Sequence, residues 1–203
     1  MIKSTFLNLS ESKKQRVISA IIDEFAREDT NRVSINNIIE QANISRGSFY
    51  QYFDDKMDLV EVVFHYYAEQ CVSEISKVID ISRGDIFYTY EECFSIMAEL
   101  GKSKRNKAVF RKVLSGLYDS CSIVSEFISK RYQGLAEIDG LKKQLSRKNL
   151  KSQDDDFFRL VNAVLMTVLK RCVREYFING GEYEIVKKSY LKQVDIVKSG
   201  AIA

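Results

Sequence analysis

Residues Ser34–Leu59 read SINNIIEQANISRGSFYQYFDDKMDL and carry the most informative pattern in the chain. Ser34 can cap a short helix, because a serine oxygen readily accepts a hydrogen bond from a backbone N–H of the first turn. Asn43 predicts a sharp turn behind that helix, since asparagine enters the left-handed backbone region at little cost. Ser45 can then cap a second short helix. The stretch therefore predicts two short helices joined by a tight turn.

A longer helix is predicted on each side of this pair. Upstream, Ser10 can cap a helix whose apolar residues from Val17 to Phe25 recur at spacings of three and four, as on one buried face. Downstream, Asp54 or Asp55 can cap a long helix that begins at Lys56. A supporting helix followed by two short helices and a tight turn has the order of a helix-turn-helix, whose second short helix enters the major groove of DNA.

The second short helix carries side chains suited to reading DNA. Arg46 can donate two hydrogen bonds to a guanine edge, and Gln51 can pair with an adenine edge. Gly47 lets backbone approach DNA closely, and Lys56 adds a positive charge at a helix N-terminus that favours phosphate. The hydroxyl groups that can reach phosphates are those of Ser48, Tyr50 and Tyr52.

These residues resemble a known family. The block Ser45–Phe53, SRGSFYQYF, followed three residues later by Lys56, is similar to the DNA-binding signature of the TetR/AcrR transcription regulators, and the similarity covers about residues 10–65. The resemblance implies that the second short helix faces DNA, that Lys56 holds a phosphate, and that Ser34 and Asn36 also touch backbone or bases. It further implies an all-helical remainder that binds a ligand and dimerises, with repression as the usual role.

The composition predicts an all-α protein of two parts. The 203 residues include no proline and only nine glycines, a shortage that long helices tolerate and a fold with many tight turns does not. Residues 1–55 are expected to form a three-helix DNA-binding domain of the helix-turn-helix kind, and residues 56–203 a helical bundle for ligand binding and dimerisation. Further helices are predicted at about 85–100, 104–132, 153–179 and 182–198, with another near 134–147.

The charge distribution and the few reactive residues limit the classes of function that the sequence supports. The net charge is +3, but the first sixty residues carry eight Lys or Arg against nine Asp or Glu, so DNA contact depends on a few well-placed cations. A single histidine, His65, and no Gly-rich phosphate loop leave no catalytic residues, so an enzyme is not expected. The cysteines form no Cys-x-x-Cys pair, which predicts no metal site and no cofactor. Reduced thiols, with no signal peptide and no membrane span, predict a cytoplasmic location.

Two C-terminal segments predict a homodimer. The helix between Phe157 and Phe177 is apolar nearly all round, and such a helix needs partners on two sides. The last helix carries an apolar seam at spacings of three and four, which suits a four-helix interface with two helices from each subunit. A single internal bundle without a dimer is the other interpretation. The predicted interface residues are Val161, Leu165, Val168, Leu169, Cys172, Tyr176, Tyr183, Val186, Tyr190 and Val194.

A ligand pocket is harder to place. Apolar ligand sites are commonly lined by aromatic and sulfur-containing side chains, although such residues also fill ordinary cores. The candidate pocket residues are Tyr88, Phe94, Met97, Phe110, Leu114, Tyr118 and Cys121. A small apolar or amphipathic effector suits this set better than a sugar or a nucleotide.

The sequence thus predicts a transcription regulator in which a homodimer binds a palindromic operator on double-stranded DNA and a small-molecule effector releases it. The alternative is a DNA-binding protein of the same fold that is controlled by a protein partner and has no effector. The presence or absence of an enclosed cavity distinguishes the two.

Overall fold

The computed structural model describes residues 2–116, 119, 121–130 and 136–202. Within these residues the backbone forms eleven α-helices, one short 3₁₀ turn at Thr30–Arg32 and no β-strand, so the all-α prediction is confirmed. The helices are α1 Ser4–Leu7, α2 Glu11–Arg27, α3 Ile35–Ala42, α4 Arg46–Tyr52, α5 Lys56–Ser82, α6 Ile86–Leu100, α7 Lys104–Gly116, α8 Ile123–Lys130, α9 Ala136–Gln144, α10 Asp155–Phe177 and α11 Tyr183–Ala201.

The single helix predicted at 104–132 is wrong, because α7 ends at Gly116 and α8 begins at Ile123. Gly116 is a point of close approach, since a Cβ there would lie 2.7 Å from Ser122 Oγ and 3.0 Å from Val124 Cβ. Ser122 is buried, and its Oγ accepts a hydrogen bond from Val124 N at 3.1 Å. The lack of a side chain at Gly116 therefore lets the start of α8 pack against the end of α7.

The chain packs as two compact units. The first contains Met1–Ala68 together with Ser103–Leu135, and the second contains Glu69–Lys102 together with Ala136–Ala203. Helix α5 contributes residues to both. The domain boundary expected after residue 55 stays a prediction about which segments fold on their own. In the structure, the first unit contains α7 and α8 together with the helix-turn-helix segment.

The core of the first unit is built on α2. Val17, Ile21 and Phe25 are completely buried, which confirms the predicted inward face of that helix. Phe49 on α4 and Phe53 just after it are also completely buried, with ring centroids 5.3 Å apart. Because one side of α4 is anchored by these rings, the opposite side is left to solvent.

Helix α7 holds α2 through two cations. Arg105 Nη2 donates to the Ser19 carbonyl oxygen at 3.0 Å, and the Arg105 guanidinium pairs with Asp23 at 2.7 Å. Lys112 Nζ donates to the Ala26 carbonyl oxygen at 2.9 Å, near the carboxyl end of α2, where a positive charge is favourable. A helix distant in sequence is therefore part of the support of the helix-turn-helix.

The second unit packs α6, α10 and α11 around aromatic rings. The Phe94 ring centroid lies 5.9 Å from that of Tyr183 and 5.5 Å from that of Tyr190. The Tyr90 hydroxyl donates to Asn162 Oδ1 at 2.6 Å, and the Tyr190 hydroxyl donates to the Tyr90 carbonyl oxygen. Burial raises the pKa of both Tyr90 and Tyr190, so both hydroxyls stay protonated and available as donors.

Three findings concern membranes, metals and thiols in the described part of the chain. No helix there is long and apolar enough to cross a membrane. No group of three or more His, Cys, Asp or Glu side chains is placed there to hold a metal ion. Cys71, Cys93, Cys121 and Cys172 are free thiols, of which Cys121 is exposed.

Candidate nucleic-acid interface

The two short helices and their turn form as predicted. Ser34 caps α3, and its side chain accepts from Asn37 N at 3.4 Å. Ser45 caps α4, and its Oγ accepts from Ser48 N at 3.0 Å. Asn43 ends α3 with φ 49° and ψ 56°, which is the left-handed conformation expected of it. The local chemistry of these residues therefore sets the geometry of the turn.

Glu24 fixes the start of α3 from within the core, a role that the sequence analysis missed. It is completely buried, and its Oε1 accepts from Ser34 N at 2.8 Å and from Asn37 Nδ2 at 3.3 Å. Arg27 pairs with its other carboxylate oxygen. A buried carboxylate is tolerated only when it is paired and hydrogen-bonded, and these contacts meet that condition.

The outward side of α4 presents the predicted reading residues. Arg46, Gly47, Tyr50 and Gln51 are exposed, and 42% of Tyr50 is accessible. A Cβ at Gly47 would meet no atom closer than 3.8 Å, so the glycine is not required by the packing of the chain itself. The open space at Gly47 leaves room for a close approach by another molecule. Ser48, by contrast, is half-buried.

The Arg46 side chain is held in place at the front of this surface. Its Nη1 donates to Asn36 Oδ1 at 3.1 Å, and its guanidinium carbon lies 5.9 Å from the centre of the Tyr50 ring. A guanidinium has five N–H donors, so the bond to Asn36 leaves a pair free for a base edge. Asn36 is therefore placed to orient Arg46.

Tyr52, whose hydroxyl the sequence predicts to reach a DNA phosphate, is turned inward in the structure. Only 4% of the residue is exposed. Its ring centroid lies 6.0 Å from that of Phe6, and Lys13 Nζ lies 5.7 Å from the ring on the outside. The prediction of an outward Tyr52 is wrong because α1, which the sequence analysis did not predict, covers this side of α4.

Lys56 is the first residue of α5, whose first turn is fixed by hydrogen bonds to aspartate side chains. Asp55 provides the cap, because its Oδ1 accepts from Met57 N at 2.8 Å and from Asp58 N at 3.2 Å. The buried Asp58 reaches back, and its Oδ2 accepts from Asp54 N at 2.6 Å. Lys56 Nζ lies 3.4 Å from the Asn31 carbonyl oxygen, at the same helix end where phosphate is favoured.

The residues predicted for the dimer interface are mostly buried within a single chain. Tyr190 is completely buried, and it donates to the Tyr90 carbonyl oxygen of α6. A side chain covered by its own protomer offers little surface to a second copy, so these residues are poorly placed for an interface, and the interface itself stays a prediction. The residues covered in this way are Val161, Leu165, Leu169, Cys172, Val186, Tyr190 and Val194. Three more are half-buried, namely Val168, Tyr176 and Tyr183.

A different set of apolar side chains on α10 and α11 faces solvent. Leu160 and Val164 lie one turn apart on α10, and Ile185 and Ile196 lie at a spacing of eleven, or three turns, on α11. Each is between 48% and 71% exposed. We call this set the exposed apolar face; on each helix its members differ from the buried residues, such as Leu165 on α10 and Tyr190 on α11. The sequence analysis recognised two apolar sides but not which one faces outward.

The predicted pocket residues are distributed over both units. Phe94 and Met97 belong to the second unit, where Phe94 packs in the aromatic core and Met97 is half-buried. Phe110 belongs to the first, with its ring centroid 4.7 Å from that of Tyr67. Leu114 is half-buried, whereas Tyr88 and Cys121 are exposed. Tyr118 lies outside the described residues, and the pocket itself stays a prediction.

A cavity of about 210 Å³ in the second unit lies at the turn between α5 and α6. None of its lining residues belongs to the predicted pocket set. They are Ser82, Arg83, Asp85, Ile86, Phe87, Ser146, Lys148, Asn149 and Leu150. It is therefore a separate feature from the pocket that the sequence analysis proposed.

Three features define the class of helix-turn-helix DNA-binding proteins. They are two short capped helices joined by a tight turn, exposed polar side chains on the second of them, and a supporting helix packed behind the pair. The family described as bacterial regulatory proteins of the tetR family matches residues 17–63. The family described as the tetracyclin repressor-like C-terminal domain matches residues 85–201. The chain belongs to the TetR family of transcriptional regulators, with an N-terminal DNA-binding domain and a C-terminal domain of the ligand-binding type.

Solved structures of the same fold extend over almost the whole chain. A TetR-family regulator from Mesorhizobium loti is 16% identical, with 96% of this chain and 100% of that chain covered and a TM-score of 0.67. A TetR-family regulator from Syntrophomonas wolfei is 17% identical, with 94% and 96% covered and a TM-score of 0.65. The ketosteroid transcriptional regulator KstR2 of Mycobacterium tuberculosis is 15% identical, with 97% of each chain covered and a TM-score of 0.50. No curated protein sequence matches the chain significantly.

Proposed function

We propose that this chain is a ligand-responsive repressor that binds a palindromic operator as a homodimer and is released by a small apolar or amphipathic effector. The observation that carries the proposal is the set of exposed side chains on α4. Arg46 is oriented by Asn36 and Tyr50, and Gln51 is exposed on the same helix. Ser45 caps the first turn of α4, so the helix that carries these side chains is already formed without DNA.

Each exposed residue takes a distinct part in DNA binding. Arg46 reads a guanine edge, and Gln51 reads an adjacent base in the major groove. Gly47 allows the backbone to come close, and Tyr50 and Lys56 bind phosphates. Ser34, Asn36 and Ser48 contribute from the edge of the surface. Tyr52 is left out of the contact set because it is buried.

The exposed apolar face supports the homodimer. Large apolar side chains seldom cluster in solvent on a monomeric protein without a partner to cover them. Leu160 and Val164 on α10, with Ile185 and Ile196 on α11, provide two helices from each protomer for a four-helix interface. A symmetric dimer that binds successive major grooves holds its recognition helices about 34–36 Å apart, or a multiple of that distance.

Effector control follows from this spacing. A ligand that binds more tightly to a dimer with a different separation shifts the population away from the DNA-binding form. The C-terminal family match supports a ligand site in this part of the chain. The aromatic ring of Tyr88 and the thioether of Met97, both in the second unit, favour an apolar or amphipathic effector.

Selection from a pool of random duplexes tests the proposal. Wild-type protein is compared with Arg46→Ala and Tyr50→Ala, and with Arg111→Ala, an exposed arginine on α7, as the matched control. We expect wild type and Arg111→Ala to enrich the same palindromic site, and the two α4 variants to lose it. No enrichment by wild type at low salt contradicts DNA binding. Enrichment that no apolar small molecule reverses contradicts effector control and favours control by a protein partner.

A further inference from the structure

The segment Lys3–Phe6, most of which forms α1, lies against the carboxyl end of the recognition helix α4. Lys3 N donates to the Tyr52 carbonyl oxygen at 3.2 Å, and Lys3 Nζ donates to the Tyr50 carbonyl oxygen at 2.8 Å. Thr5 Oγ1 donates to the carbonyl oxygen between them, that of Gln51. Three consecutive carbonyl groups at the end of α4 are thus bonded by two residues of one distant segment.

These contacts matter because the last carbonyl groups of a helix have no partner within it. In α4 only the Phe49 carbonyl oxygen is bonded by the following turn, from Phe53 N at 3.0 Å. A helix of seven residues is too short to be stable without such support. Lys3 also places a positive charge at the negative end of the helix dipole. The segment therefore acts as an external cap of α4.

Apolar packing holds the cap in place. Phe6 is almost completely buried, and its ring centroid lies 4.9 Å from that of Phe53 and 6.0 Å from that of Tyr52. The match to the DNA-binding family begins at residue 17, so the segment lies outside it. The cap is consequently a feature of this chain that the family match does not include.

We propose that Lys3 and Thr5 are positioning residues for DNA recognition, which hold the last turn of α4 without touching DNA themselves. The inference rests on the proposed function. The last turn carries Tyr50 and Gln51, whereas Arg46 in the first turn depends on the separate cap at Ser45. Loss of the external cap should therefore weaken base reading by Gln51 more than base reading by Arg46, which keeps its hydrogen bond to Asn36.

The test compares Thr5→Val, which removes the hydroxyl, with Thr5→Ser, which keeps it. Ser4→Ala, an exposed position on the same helix, is the matched control. We expect Thr5→Val to lower affinity for the selected duplex about five- to ten-fold, as for the loss of one hydrogen bond. Base preference should fall most at the positions whose preference Gln51→Ala also removes. Thr5→Ser and Ser4→Ala should match wild type.

Two further readouts separate positioning from direct contact. The slope of log affinity against log salt should be the same for wild type and Lys3→Met, because no phosphate contact is lost. Amides of residues 46–53 should exchange hydrogen faster in Thr5→Val than in wild type, without DNA. A reduced salt slope in Lys3→Met, or unchanged exchange and base preference in Thr5→Val, overturns the inference. If wild type selects no duplex at all, the proposed function fails, and the exchange result alone decides whether the cap exists.

Discussion

Replacing Glu24 by alanine should destabilise the helix-turn-helix more than the loss of any exposed charge in it. The buried carboxylate accepts from Ser34 N at 2.8 Å, and a hydrogen bond to a charged group contributes about 1.5–3 kcal/mol. The bond from Asn37 Nδ2 is longer, at 3.3 Å, and adds less. The side chain of Arg27 is 50% exposed, so its ion pair contributes below about 1 kcal/mol. We therefore expect the free energy of unfolding to fall by about 2–4 kcal/mol.

Urea denaturation of the full chain at fixed protein concentration measures this loss. With a slope of about 2 kcal/mol per molar urea, the midpoint should fall by about 1–2 M. Arg27→Ala, which removes the ion pair but keeps both hydrogen bonds to Glu24, should shift it less. Glu24→Gln, which keeps an acceptor oxygen but removes the charge, should lie between wild type and Glu24→Ala. A loss below about 1 kcal/mol for Glu24→Ala, or an equal loss for Arg27→Ala, would show that the hydrogen bonds to Glu24 are not the main source of its stabilising effect.

Three other predictions follow from the same structure. Gly47→Ala should raise the thermal unfolding midpoint slightly, because the added Cβ meets no atom closer than 3.8 Å and glycine costs about 0.5–1 kcal/mol within a helix. The same variant should bind DNA more weakly, and an unchanged affinity would contradict a close approach of DNA at Gly47. Leu160→Glu should shift the sedimentation of the protein from dimer to monomer, whereas Ile81→Glu, at a position 74% exposed on α5, should not; a dimer that survives Leu160→Glu excludes the exposed apolar face. Burial raises the pKa of Cys93 to about 12, so at pH 8 iodoacetamide should label the exposed Cys121 and spare Cys93. The labelling rate of Cys93 should rise about tenfold per pH unit toward that pKa. Equal labelling of the two cysteines at pH 8, measured by peptide mass spectrometry, would contradict the burial of Cys93.

Features that depend on neighbouring residues in the sequence could be predicted. The caps at Ser34, Ser45 and Asp55 and the left-handed Asn43 follow from local hydrogen bonding and backbone preference, and the structure has them all. The buried face of α2 could also be predicted, because a periodic apolar pattern on an amphipathic helix has only one side to bury.

Features that depend on distant segments could not. Tyr52 is hidden by α1, a helix of four residues that is too short to give a periodic pattern. Glu24 lies seven residues after Val17 and three after Ile21, so the periodic pattern puts it on the buried face of α2. The pattern does not show its partner, because only the fold brings Ser34 N within reach of its carboxylate.

The outward face of α10 is a third case of this kind. That helix is apolar nearly all round, and only its packing on α6 and α11 decides that Leu165 is buried while Leu160 and Val164 face solvent. Periodicity predicts that a helix has partners, but not which side each partner covers.

DNA recognition as proposed depends above all on the contact between Arg46 and a guanine edge, and this contact can be tested at a single atom of the base. In the selected duplex, each guanine is replaced in turn by 7-deazaguanine, which lacks the N7 acceptor that a bidentate arginine uses. Affinity is then measured for wild type and for Arg46→Ala. We expect one position in each half-site where wild type loses about five-fold or more in affinity, in line with about 1–3 kcal/mol of discrimination for a good bidentate pair, and where Arg46→Ala loses nothing further. Equal losses for the two proteins at every guanine would contradict it.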